Sequence, residues 1–305
     1  LSYTVSPFRP KFLLTFPPGM MSYSGFLVIR NLVSFSRSQI DVLLAGKLGG
    51  ANSVGQFKVA RDFSVMPLSE LVTPVMQPFF ASLSQLKHDK ERMVEKTYQI
   101  LFLAWSVIFI SLACFISLQS EFTRVVLGEN WLEVGDFIGI LAFLMIPFVT
   151  QSVFYMLYDL IGKTKNSIWN DIYGLSAIVI SFLLFKPSTL IEFAGLRVIV
   201  GVSSFIVILT LAKFFLPVSL RKIGLVLAIP LVSSLVTLFT VLYLKRVWEI
   251  EVPSLALIFY GGLALVLYAL VFSVILRLIR GGAAVFILRL LPELVFNWLK
   301  KLKVL

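Results

Sequence analysis

The chain has 305 residues, 58% of them hydrophobic and 14% charged, with a mean hydropathy of +0.94. That balance excludes a soluble globular domain, in which about a quarter of residues are charged, and a disordered chain, which is rich in charge and poor in aromatics. The 27 Lys and Arg against 16 Asp and Glu give a net charge of +11, which in so apolar a chain points to the cytoplasmic bias of basic residues in membrane proteins and not to nucleic acid.

Taken in order, eight stretches have the roughly 20 mostly apolar residues that a membrane helix needs. They run over about 20–47, 53–86, 97–118, 134–162, 167–185, 190–216, 223–244 and 253–276. Gly49-Gly50-Ala51-Asn52 breaks the first from the second, and Pro187, Pro217 and Pro253 sit at later breaks. Pro67, Pro74, Pro78, Pro147 and Pro230 fall inside spans, where neighbouring groups must satisfy the freed backbone. The apolar runs are continuous and do not alternate, which argues against a β-barrel. The expected fold is therefore all-α and integral to the membrane, with about eight transmembrane helices.

Loop charges set the expected orientation. One face holds Arg9, Lys11, Lys87, Lys90, Arg92, Lys96, Lys163, Lys165, Lys213, Arg221 and Lys222, with Arg277, Arg280, Arg289, Lys300, Lys301 and Lys303 in the tail. The other holds Lys47, Arg124, Lys186, Lys245 and Arg246 beside Glu121, Glu129, Glu133, Glu249 and Glu251. This places both ends of the chain in the cytoplasm and the protein in the cytoplasmic (inner) membrane. Residues 281–305 are too short and charged to span again. Phe286, Leu290, Leu294 and Trp298 beside Arg289, Lys300 and Lys301 suit an amphipathic helix, lying on the anionic surface or docked on the protein.

Enzyme signatures are missing: there is no Gly-rich phosphate loop and no nucleophile elbow. The single histidine, His88, lies in a charged loop, and the single cysteine, Cys114, lies among Leu112, Phe115 and Ile116. One Cys and one His give no disulfide framework and no metal cluster, so neither a cofactor nor a catalytic role is expected.

The informative residues are charges inside the first two spans. Arg30, Arg37 and Asp41, spaced by seven and four, share one helix face. Lys58, Arg61, Asp62 and Glu70 follow in the second span. A hairpin centred near Ala51 brings Asp41 to the depth of Arg61, so an Asp41–Arg61 ion pair is expected, with Lys58 as the other possible partner. That leaves Arg30 and Arg37 as a cationic stripe with no obvious neutralising residue. Two readings stand: structural ion pairs with snorkelling side chains, or a polar cavity in which guanidinium groups receive an anion. Asp159, Asp171, Glu192 and Arg197 read mostly as interfacial charges, while Asn166, Asn170 and Asp171 could line a cytoplasmic mouth.

Several motifs together resemble the Wzx-type polysaccharide (O-antigen and exopolysaccharide) flippases of the MATE-like exporter superfamily. They are Ser38-Gln39-Ile40-Asp41-Val42-Leu43-Leu44-Ala45-Gly46-Lys47-Leu48-Gly49 with Val54-Gly55-Gln56-Phe57, the loop Asp89-Lys90-Glu91-Arg92, Leu127-Gly128-Glu129-Asn130-Trp131, and Ile161-Gly162-Lys163-Thr164. The resemblance covers about 9–180; Phe57 stands where the family usually has Tyr and Lys163 where it often has Arg. Arg9-Pro10-Lys11-Phe12 looks like the linker before that family's seventh span, which would make this chain the second lobe, lacking the first. The resemblance implies a linker over 1–18, a six-helix lobe over 19–217, two additional helices over 218–280 and a basic tail over 281–305.

The activity implied is transport, by alternating access, of a polyprenyl-diphosphate-linked oligosaccharide for surface polysaccharide or lipopolysaccharide biosynthesis. Arg30, Arg37, Arg61 and Lys58 would meet the substrate, and Asp41, Asp62 and Glu70 would serve as structural or coupling charges. Expected partners are the lipid-linked oligosaccharide, membrane lipids, and polymerase and chain-length proteins of the same pathway, without nucleic acid. The alternatives are another MATE-like exporter of drugs or lipid-linked precursors, a membrane glycan polymerase or ligase, and a non-transporting scaffold.

Overall fold

The computed structural model describes residues 20–86 and 89–278, together with 286, 287 and 290. The expected linker over 1–18, His88 and most of the tail over 281–305 lie outside the described residues.

Gly49 and Gly50 shape the first element. Helix α1 (Met20–Pro67) is one run by hydrogen bonding, but its dihedrals break at Gly49 and at Gly50, where φ is 70° and ψ −150°. That region is essentially reserved for glycine. The two arms fold back on each other: the Arg61 guanidinium donates to the Ser38 carbonyl at 2.7 Å, and a Cβ added to Gly46 would lie 3.0 Å from Val54. The hairpin is thus centred at the glycines.

The second arm ends at Pro67, whose missing N–H removes one helical hydrogen bond. A wider, π-type turn follows (Leu68–Val72) before α2 (Thr73–Gln85) completes the descent. Thr73 Oγ1 donates to the Leu68 carbonyl at 2.8 Å, the same oxygen that accepts the Thr73 amide across the wider turn.

Helix α3 (Lys90–Val126) starts at an Asp89 cap that accepts from the Arg92 amide and bends at Leu118. A turn at Glu129–Trp131 leads to α4 (Leu132–Leu141) and, through a single tight turn at Ala142–Leu144, to α5 (Met145–Leu160). Helices α6 (Lys165–Phe185), α7 (Leu190–Phe215), α8 (Leu220–Val247) and α9 (Pro253–Leu278) then follow, joined by short breaks. Pro187, Pro217 and Pro253 lie at the breaks as expected, whereas Pro230 is carried inside α8.

Among the described residues, six segments are long and apolar enough to cross a membrane: Lys90–Val126, Glu129–Leu160, Lys165–Phe185, Leu190–Phe215, Leu220–Val247 and Pro253–Leu278. The sequence suggested eight. The first two stretches are helical, in α1 and α2, but α1 carries Arg30, Arg37, Asp41, Lys58, Arg61 and Asp62, and α2 has only 13 residues. Large side chains such as Leu184, Ile199, Ile206, Phe239, Ile258 and Leu265 are exposed on the outer helices, as suits a lipid-facing surface.

Three apolar cores hold the helices together. The largest, around Trp105, Phe102, Phe154 and Tyr158, joins α3 to α5, α7 and α8. A second, around Phe57, Phe137, Ile138 and Phe193, joins α1 to α4, α6 and α7. A third, around Leu118, Val241 and Tyr260, seats α8 and α9 on α3. The α8–α9 pair therefore packs on α3, leaving α1 to pack against α4, α6 and α7. Of the tail, Ile287 and Leu290 are buried, and Phe286 meets the Tyr98 ring edge-on at 5.6 Å, so these three positions are docked on the protein.

Candidate functional site

The first arm of α1 carries the polar face, and α5, α6 and α7 supply what it meets. Arg37 Nη1 donates to Asp171 Oδ1 at 2.7 Å. One helical turn on, Asp41 Oδ2 accepts from Arg197 Nε at 2.7 Å. All four residues are buried: Arg37 is 7% exposed, Asp41 2%, Asp171 1% and Arg197 4%. The two pairs are crossed, with the cation on α1 in the first and on α7 in the second, so a slide of α1 by one turn would set like charges together.

Further groups converge on Asp171. Its Oδ1 also accepts from Gln151 Nε2 at 3.0 Å and from the Tyr155 hydroxyl at 2.9 Å. Asn170 Nδ2 donates to Tyr155 at 3.3 Å. A buried charge needs this kind of support, because one ionic partner rarely offsets desolvation. Gly174 makes room: a Cβ there would lie 2.6 Å from Arg37 Nε. Arg197 stacks over Phe148, its guanidinium carbon 5.7 Å from the ring centroid.

These groups wall a cavity of about 450 Å³. The first arm of α1 contributes Ser34, Arg37, Ser38 and Asp41, and the second contributes Arg61, Asp62 and Val65. Helix α5 contributes Phe148, Gln151, Ser152 and Tyr155, and Asp171 and Arg197 complete the wall. Asp41 Oδ1, Asp171 Oδ2 and Asn170 Oδ1 are buried and have no hydrogen-bond partner among the described residues.

The expected Asp41–Arg61 pair does not form. The hairpin turns at Gly49–Gly50 and not at Ala51, so Arg61 is set against Ser38, one turn away from Asp41. Its only carboxylate neighbour among the described residues is Asp62, at 3.6 Å. Asp41 turns to α7 instead. Arg30 and Arg37 are also not an unneutralised stripe: Arg30 meets Asp159 at 3.2 Å and lies 5.6 Å from the Tyr155 ring centroid, and Arg37 meets Asp171.

The remaining candidates separate. Arg37, Arg61, Asp41 and Asp62 line the cavity, whereas Arg30, Lys58 and Glu70 do not. Lys58, Asp62 and Glu70 are exposed, and Lys58 joins no ion pair among the described residues. Asp171 and Arg197, expected mainly at the interface, are buried charges of the site. The signal was present: Asp171 in the fifth span and Arg197 in the sixth were charges of opposite sign to Arg37 and Asp41 in the first.

Fold and site together define a multi-pass all-α membrane protein whose first helical hairpin walls an ion-paired polar cavity. Residues 1–136 match the family described as polysaccharide biosynthesis protein. Among curated relatives, the chain is 24% identical over 112 residues to an uncharacterized membrane protein in the cps region of Klebsiella pneumoniae. It is 24% identical over 194 residues to the teichuronic acid biosynthesis protein TuaB of Bacillus subtilis, and 22% identical over 136 residues to the lipopolysaccharide biosynthesis protein WzxC of Escherichia coli.

These matches take in 37%, 61% and 44% of this chain but only 23%, 39% and 26% of the relatives. The chain thus spans well under half the length of the curated relatives it matches. A solved structure of the lipid II flippase MurJ, in an inward closed conformation, superposes with a TM-score of 0.66 at 17% identity, covering 88% of this chain and 57% of that one. The Wzx-like resemblance read from the motifs is borne out, and the fold is similar to that of MurJ.

Proposed function

We propose that this chain forms the part of a polysaccharide flippase that holds cargo, moving a lipid-linked oligosaccharide across the cytoplasmic membrane by alternating access. The observation that carries the reading is the polar cavity, walled by buried ion pairs across α1, α6 and α7, in an otherwise apolar helical body. Charges are costly at membrane depth and mark pathways more often than anchors. The names of the relatives, in polysaccharide, teichuronic acid and lipopolysaccharide biosynthesis, support a glycan cargo. The reading takes the protein as a transporter and not an enzyme.

In this reading residues 19–217 are the moving six-helix lobe and 218–280 two added helices. The face bearing Lys90, Lys163 and Arg221 is cytoplasmic. Arg37 and Arg61 stand at the cavity wall, Arg30 and Lys58 at its margins, and Asp41, Asp62 and Glu70 remain as structural or coupling charges. Partner enzymes for polymerisation and chain length would receive the cargo on the far side.

The test is export. In the full-length gene product, Arg37→Ala and Asp171→Ala should each abolish complementation of surface glycan in a flippase-null strain, with membrane levels unchanged and lipid-linked glycan accumulating inside. Normal surface glycan in both variants would remove the cavity from the mechanism. A drug-exporter reading fits less well, since no excess of negative charge faces the cavity to attract cationic drugs.

A further inference from the structure

The charge balance of the cavity says which part of a cargo it suits. Its walls carry three cations, Arg37, Arg61 and Arg197, and three carboxylates, Asp41, Asp62 and Asp171. Every cation is engaged: Arg37 with Asp171, Arg197 with Asp41, and Arg61 with the Ser38 carbonyl and Asp62. To bind a diphosphate, Arg37 or Arg197 would have to leave a carboxylate that stays buried and unpaired, the most unfavourable way to break such a pair.

The spare hydrogen-bonding capacity has the wrong sign for an anion. The partnerless buried polar atoms around the cavity, Asp41 Oδ1, Asp171 Oδ2 and Asn170 Oδ1, are acceptors among the described residues. Beside the Arg61–Asp62 pair, what the cavity presents at its open side is neutral. Ser34, Ser38 and Ser152 are exposed, with the Gln151 amide and the Phe148 and Tyr155 rings partly so. Hydroxyls and an amide can exchange hydrogen bonds with a polyol, while aromatic faces suit the C–H surface of a sugar ring. The volume of about 450 Å³ lies within the roughly 300–1,000 Å³ of small-molecule pockets.

We infer that this cavity receives an uncharged, hydroxyl-rich saccharide segment of the cargo and not its anionic diphosphate. The inference rests on the lipid-linked glycan reading above and narrows it to one end of the molecule.

The experiment is protection of a reporter thiol. Ser152→Cys, and separately Ser34→Cys, is placed in the full-length protein with Cys114→Ser, and maleimide labelling is timed in detergent. The probes are the repeat-unit glycan hydrolysed from the host's own lipid-linked pool, and inorganic pyrophosphate. The glycan should slow labelling at least threefold at one reporter or both, Gln151→Ala should weaken that protection, and pyrophosphate should leave the rate unchanged. Protection by pyrophosphate equal to that by the glycan, or none by the glycan at either reporter, overturns the inference. Export by the cavity variants is scored separately, so loss of export without glycan protection sinks only this assignment, and normal export removes the cavity from the transport reading beneath it.

Discussion

Asp41 shows how one residue's partner is chosen by three helices at once. It is 2% exposed and its ionic partner is Arg197 of α7. Removing one member of a buried pair strands the other charge at a cost of about 3–5 kcal/mol. Asp41→Ala should therefore lower thermal stability in detergent sharply, while Asp41→Leu with Arg197→Met should recover most of it. A double-mutant cycle between positions 41 and 197 should show coupling, and one between 41 and 61 should show none; coupling at 61 would contradict the observed register. Gly174 is the second sensitive residue, because a methyl there meets Arg37 Nε at 2.6 Å. Gly174→Ala should cost about 1–3 kcal/mol by overpacking in the otherwise unchanged protein and much less when added to Arg37→Met, which already lacks the obstructing guanidinium, as melting curves would read.

Among the elements, α1 and α3 carry their irregularities for identifiable reasons. The α1 hairpin depends on Gly50, at φ 70° and ψ −150°. Any side chain there should cost about 1–3 kcal/mol in backbone strain and shift the two arms; Gly50→Ala should show this as a lowered melting temperature with weaker glycan export. Helix α3 bends at Leu118, and the bend is held from α8. Lys245 Nζ donates to the Ser117 carbonyl at 2.7 Å and meets Glu121 at 2.8 Å, capping a backbone oxygen beside the bend. Ser234 adds a bond from α8 to the Phe109 carbonyl at 2.7 Å. Lys245→Met should destabilise the protein more than Glu121→Gln, because the first leaves both a carbonyl and a carboxylate without the ammonium; equal melting temperatures for the two variants would argue that Lys245 is only a surface charge.

For the whole molecule, orientation and division of labour follow from where charge is buried and where it is not. With Cys114→Ser as background, a cysteine at Lys163 should resist a membrane-impermeant maleimide in intact cells and one at Glu249 should react; the reverse pattern would invert the topology. The all-α membrane fold, the break at Gly49–Gly50, the proline-marked loops and the polar character of the first hairpin were all legible from the chain, because hydropathy and backbone chemistry are local properties. The motifs about Asp41 and Gly162 also carried the resemblance to polysaccharide flippases. What the sequence by itself determined was thus the class of molecule and the existence of charges that needed partners. Which partner each charge took was decided only by the tertiary structure. A shift of the hairpin centre by one or two residues moved Arg61 off Asp41, and residues more than a hundred positions away, Asp171 and Arg197, closed the pairs that turn an apparent cationic stripe into a neutral cavity. Ion pairing depends on distances of a few ångströms between separate helices, and no periodicity along one helix encodes them.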